Sequence, residues 1–95
     1  QVNTGLESSK SGINPNEVEE FLALCKHYGI KNLLGLMCIP PLDENPNKHF
    51  IMLNKILKKT GLKGLSIGMS ADYLDALNFN PIYIRLGTTL FGKRE

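Results

Sequence analysis

Few features of this chain of 95 residues suit a disulfide-stapled, metal-bound or membrane-spanning protein. Its two cysteines, Cys25 and Cys38, are too few for a disulfide framework and lack the paired spacing of a zinc site. Cys25 shares a helical stripe with Val18, Phe21, Leu22 and Tyr28, and Cys38 falls in a strand, so both read as small buried hydrophobes. His27 and His49 each stand on a helix with no ligand-like partner three or four residues on, so we expect a surface or boundary position for each and no metal. No apolar run reaches the roughly 18 residues of a membrane span, and no leader is visible, which points to a cytoplasmic protein without a membrane partner. A net charge of +2 is too mild to imply nucleic acid, and Lys55, Lys58 and Lys59 read as the solvated face of a helix. With 42% hydrophobic and 21% charged residues, disorder is excluded and an ordinary globular core is expected. The chain opens on Gln1 inside what reads as a strand, with no initiator Met, so we expect a fragment.

What is present alternates strictly. Residues 1–5 read as a strand, followed by a loop over residues 8–14. In Asn14-Pro15-Asn16-Glu17, Asn14 can cap a helix, Pro15 suits its first position and Glu17 can reach back; Gly29 ends the helix near Tyr28. Residues 33–39 are almost continuously apolar, the pattern of a strand covered on both faces. Pro40-Pro41 stops it, and Asp43 and Glu44 read as solvated loop residues. A second helix spans residues 46–60, with Phe50, Leu53, Ile56 and Leu57 inward and Gly61 as terminator. Residues 65–69 form a strand, residues 70–78 a short helix with Ser70 as N-cap, and residues 82–86 a last strand. This order, βαβαβαβ, means a parallel sheet with helices outside it, an α/β fold.

Alternation alone does not separate half of a (β/α)8 barrel from an open doubly wound sheet. A barrel takes about 250 residues, so this chain supplies roughly half of one. A doubly wound nucleotide fold places its Gly-rich turn after the first strand; here the candidate phosphate turns follow the last two strands, as in a barrel. They are Gly68-Met69-Ser70 and Arg85-Leu86-Gly87-Thr88. Ser70 offers a hydroxyl, Gly68 and Met69 their backbone, Gly87 and Thr88 further donors, and Gly87 has no side chain to keep an anion away. Arg85 alternates with apolar Ile84 and Leu86 and points to the opposite face, where a buried guanidinium needs a partner: a ligand, or a structural ion pair. Asn3 and Met37 end strands on the side where barrel sites lie, although a loop-start hydrogen bond suits Asn3 and a core position suits Met37 equally well.

Gln1-Val2-Asn3, Ser9-Lys10-Ser11-Gly12, Gly35-Leu36-Met37, Gly68-Met69-Ser70 and Arg85-Leu86-Gly87-Thr88 occur in the order and spacing of the C-terminal half of the pyridoxal phosphate homeostasis proteins, and the chain resembles that family over essentially its whole length. The resemblance implies a single alanine racemase-like barrel domain, of which residues 1–95 are about strands five to eight. It implies pyridoxal 5′-phosphate as cofactor, held by Met69, Ser70, Arg85, Gly87, Thr88, Asn3 and Met37. It places Arg85 opposite the pyridine nitrogen and Lys10 near the cofactor mouth. The family's Schiff-base lysine lies on the first barrel strand, which this chain does not contain. Lys10 itself reads as an exposed loop lysine with nothing nearby to lower its pKa.

No Ser-His-Asp, Cys-His or paired-carboxylate arrangement is apparent, so no catalytic residue is assigned. The favoured function is a non-catalytic pyridoxal 5′-phosphate binding protein of vitamin B6 homeostasis. The alternatives are a fold-type III amino-acid racemase, which needs a second base, and a cofactor-free barrel enzyme acting on a phosphorylated metabolite. A half barrel leaves two sheet edges open, so the expected partner is the missing N-terminal half or another copy of this chain.

Overall fold

The computed structural model describes residues 1–92. Asn14 accepts from the Asn16 amide at 2.9 Å and Pro15 opens a 3₁₀ turn, Pro15–Glu17, which runs into helix α1, Val18–His27. Gly29 ends it in the left-handed region at φ 76°, and the Ile30 amide closes on the Cys25 carbonyl at 2.9 Å. The expected buried stripe is narrower than its periodicity. Val18 and Cys25 are buried, but Phe21 and Tyr28 are 45% and 72% exposed, because α1 meets the core cluster only through Val18 and Leu22.

Strand β1 is Gly35–Met37, shorter than the apolar run around it, and Leu33 and Leu34 lie outside it half-exposed. Pairing with β2, Gly64–Met69, begins only where Gly35 meets Gly64. There a Cβ on Gly35 would overlap the Gly64 carbonyl, so this close approach requires glycine. Helix α2, Pro46–Thr60, lies between them, capped by Asn45, whose side chain accepts from the Asn47 amide at 3.0 Å, and closed by Gly61 at φ 74°. It buries His49, Phe50 and Leu53 and packs Ile56 and Leu57 on the core. His49, expected at the surface or boundary, is 1% exposed. It sits four residues before Leu53 and seven before Ile56, on the inward stripe.

After β2 comes helix α3, Tyr73–Ala76, continued by a 3₁₀ turn, Leu77–Phe79, then strand β3, Tyr83–Arg85, and helix α4, Thr88–Phe91. The sheet is parallel in the order β1-β2-β3, with a register shift between Ser66 and Met69. The strand expected over residues 1–5 is reduced to a bridge between Val2 and Ile13 and one bond from the Val2 amide to the Met37 carbonyl at 2.7 Å. The chain turns away at once: the Thr4 amide folds back on the Val2 carbonyl, and Leu6 adopts φ 53°. The core is a cluster of Val2, Val18, Leu36, Cys38, Phe50 and Leu53 with Leu65, Ile67 and Ala76.

Candidate functional site

The C-terminal ends of β2 and β3 and the loop after β1 converge on a cavity of about 310 Å³. Ile39, Pro40 and Leu42 form its apolar wall, the turn carrying Met69, Ser70 and Asp72 another, and Arg85, Gly87 and Thr88 the third. Five of the seven expected site residues therefore meet in one place. Asn3 does not: its side chain donates to the Glu7 carbonyl at 2.8 Å and accepts from the Glu7 amide at 3.1 Å, tying its own loop. Met37 lines a small apolar gap between β1 and β2 instead. A larger groove between α1 and α2, about 620 Å³, contains none of the seven.

The turn after β2 differs from its expected form. Gly68 takes φ 100°, and a Cβ there would stand 3.0 Å from that of Ala76, so glycine allows both the turn and the close packing of α3. Asp72, not Ser70, stands at the head of α3, and its carboxylate accepts from the Met69 amide at 2.8 Å. Ser70 lies outside the helix, and its Oγ accepts from the Thr89 amide at 3.0 Å. The two βα turns are thereby fastened to each other, and the Ser70 O–H remains available to donate. At Gly87 no atom lies within 4 Å of where a Cβ would be, so the backbone there faces open space.

Arg85 crosses the mouth of the sheet. Its Nη1 donates to Ser66 Oγ at 3.0 Å and its Nη2 to the Cys38 carbonyl at 3.3 Å, while its buried Nε has no partner. No carboxylate pairs with it among the described residues, so the ion pair weighed from sequence is replaced by two neutral acceptors. Lys10, expected in open solvent, is two-thirds covered and lies 3.9 Å from Glu7.

Sequence reasoning misses a polar chain that runs from the exposed Glu44 to the buried His49 and Thr4. Glu44, read as a solvated loop residue, accepts from Lys48 Nζ at 3.2 Å and lies 3.1 Å from His49 Nε2. His49 Nδ1 is 3.0 Å from Thr4 Oγ1. The hydrogen bonds from Lys48 and His49 hold the Glu44 carboxyl below its usual value.

Burial pushes the Cys38 thiol up to about 11, outweighing the opposing hydrogen bond with Thr4 and the Arg85 charge. In the unfolded chain the thiol ionises near 9.0. Below that pH both states keep the proton and folding is unaffected. As pH rises from there towards 11, only the unfolded chain ionises and stability falls, by up to about 3 kcal/mol. Urea titrations near pH 8 and 10.5 are expected to show the wild type losing about 2 kcal/mol more than Cys38→Ala over that interval. Equal losses would show that the thiol is not desolvated.

The parallel sheet with its helices is an α/β unit whose polar groups gather at the C-terminal strand ends, the face at which (β/α)8 barrels carry their sites. The solved structure of PipY from Synechococcus elongatus PCC7942, determined without PLP, matches 90% of this chain with a TM-score of 0.66 and 27% identity, and the match takes in 45% of PipY. No protein-family model matches the sequence. The pyridoxal phosphate homeostasis proteins of Aquifex aeolicus, Pseudomonas aeruginosa and Homo sapiens are 34%, 38% and 33% identical to the chain over its full length. They are covered over 46%, 44% and 39% of their own lengths, so the chain spans less than half of these relatives. Over its whole length the chain is thus similar to part of the pyridoxal phosphate homeostasis proteins.

Proposed function

We propose that the protein containing this chain binds pyridoxal 5′-phosphate and serves vitamin B6 homeostasis without catalysing a reaction, in the cytoplasm, and that residues 1–95 form about the last four strands of its barrel. The observation that carries this reading is the convergence of Ser70, Arg85, Gly87 and Thr88 on one cavity. The donor set fits the group: an unpartnered Arg85 Nε, a serine hydroxyl with its proton free to donate, and open space over Gly87. Ser70 and the backbone at Gly87 and Thr88 would hold the phosphate, and Arg85 the ring nitrogen. Ile39, Pro40 and Leu42 would exclude water from one face. The bound cofactor supplies an electrophilic aldehyde and a ring that withdraws electrons. A guanidinium beside the ring nitrogen opposes its protonation and so weakens that withdrawal, which suits storage and transfer better than turnover.

Titration of the native protein with pyridoxal 5′-phosphate, pyridoxal and inorganic phosphate tests this. Pyridoxal 5′-phosphate is expected to bind far more tightly than pyridoxal, phosphate to compete, and Ser70→Ala to weaken the cofactor about tenfold, the loss of one hydrogen bond to a charged group. Equal affinity for pyridoxal with and without its phosphate would overturn the assignment of these turns.

A further inference from the structure

We propose that His49 is a positioning residue for the Arg85 cavity, acting through the polar chain that joins Glu44, His49 and Thr4. His49 contributes nothing to the cavity surface, yet it ties together three parts of the molecule that build it. The loop over residues 38–45 carries the apolar wall and, at its start, the Cys38 carbonyl that accepts from Arg85 Nη2. Its far end is held by Glu44, 3.1 Å from His49 Nε2. The near end is reached through the N-terminal segment, whose Thr4 Oγ1 lies 3.0 Å from His49 Nδ1 and whose Val2 amide donates to the Met37 carbonyl at 2.7 Å. Between these ends Pro41 packs on the N-terminal segment so closely that a Cβ on Gly5 would sit 2.5 Å from its Cγ.

The chemistry of the chain gives it a direction. An ionised carboxylate only accepts, so His49 Nε2 carries the proton facing Glu44. In the neutral ring Nδ1 then accepts from the Thr4 hydroxyl. His49 has a partner at each ring nitrogen, which fixes the Thr4 rotamer and with it the N-terminal segment on which Pro41 packs. His49 is 1% and Thr4 4% exposed, so water does not replace a lost bond. Severing the chain frees the loop, and Arg85 keeps only Ser66.

The consequence for ligand affinity rests on the cofactor reading above, but the geometry of Arg85 is measurable without any ligand. In the ¹⁵N-labelled native protein free of cofactor, hydrogen exchange at Arg85 Nε–H is expected to speed up roughly tenfold in His49→Leu and in Thr4→Val, which cuts His49 from the N-terminal segment with little change of shape. His49→Gln, an amide that donates on one side and accepts on the other, is expected to restore most of the protection. Exchange within twofold of wild type in a folded His49→Leu or Thr4→Val overturns the proposal; Thr4→Val decides it where His49→Leu does not fold. On the same samples, pyridoxal 5′-phosphate is expected to bind the two disrupted variants roughly 3- to 10-fold more weakly. No binding by the wild type would refute the cofactor reading and leave the Arg85 exchange result to decide the positioning role.

Discussion

Arg85→Ala is expected to weaken pyridoxal 5′-phosphate binding by roughly 10- to 150-fold and to shift the absorption of the bound cofactor, without creating amino-acid racemase activity. The magnitude is that of a hydrogen bond to a charged group, about 1.5–3 kcal/mol, lost from a pocket walled by Ile39, Pro40 and Leu42. The fold is expected to survive. Arg85 holds Ser66 Oγ and the Cys38 carbonyl, both neutral acceptors at a part-buried site that opens on the cavity, and water can replace it there. Arg85→Lys keeps the charge but not the planar fork that spans two acceptors while leaving Nε free, so it is expected to recover only part of the affinity. A cofactor titration of the three proteins, with a racemisation assay on alanine, separates the readings. Unchanged affinity in Arg85→Ala would reduce Arg85 to a brace between strands β2 and β3 and the 38–45 loop. Robust racemisation by the wild type would make the protein an enzyme of fold type III.

The alternation of elements is legible in the sequence because each long helix carries its own punctuation. Asn14-Pro15 and Gly29 bracket α1, and Asn45-Pro46 and Gly61 bracket α2, through hydrogen bonds and backbone angles that depend only on neighbouring residues. The two glycine-bearing turns after β2 and β3 are legible for the same reason. Ser70 is not, because the N-cap preference is a local rule and its hydroxyl is taken by the Thr89 amide, 19 residues away, while Asp72 heads the helix. Strand ends are equally hidden. The apolar run over residues 33–39 looks continuous, but a strand extends only as far as its neighbour pairs with it, and β2 meets β1 over three residues. The partners of Arg85 come from β2 and from the end of the β1 strand run, which no spacing within residues 82–86 can indicate. His49 is a different case. Its spacing to Leu53 and Ile56 marks the inward stripe, and a histidine on such a stripe requires a buried partner at each ring nitrogen. Thr4 and Glu44 are the partners, 45 and five residues earlier in the chain.

Phe50→Ala is expected to cost about 3–5 kcal/mol of folding stability, the largest effect of any single substitution considered. Phe50 is fully buried at the centre of the cluster that joins α2 to the sheet, against Leu53, Leu65 and Ile67. Its ring meets Phe79 edge to face, with centroids 5.8 Å apart and planes at 66°. Truncation removes the transfer free energy of the ring and leaves a cavity that helix α2, capped at both ends and anchored by His49 and Leu53, cannot close by shifting. Against a total stability of about 5–15 kcal/mol for an ordinary domain, the loss amounts to a large share of it. Phe50→Leu fills most of the volume and is expected to cost less than half as much. Urea titrations of the native protein read the effect as a lower midpoint at unchanged slope, which marks a change in stability rather than in the surface exposed on unfolding. A loss below about 1 kcal/mol would place the packing centre of α2 elsewhere on the helix.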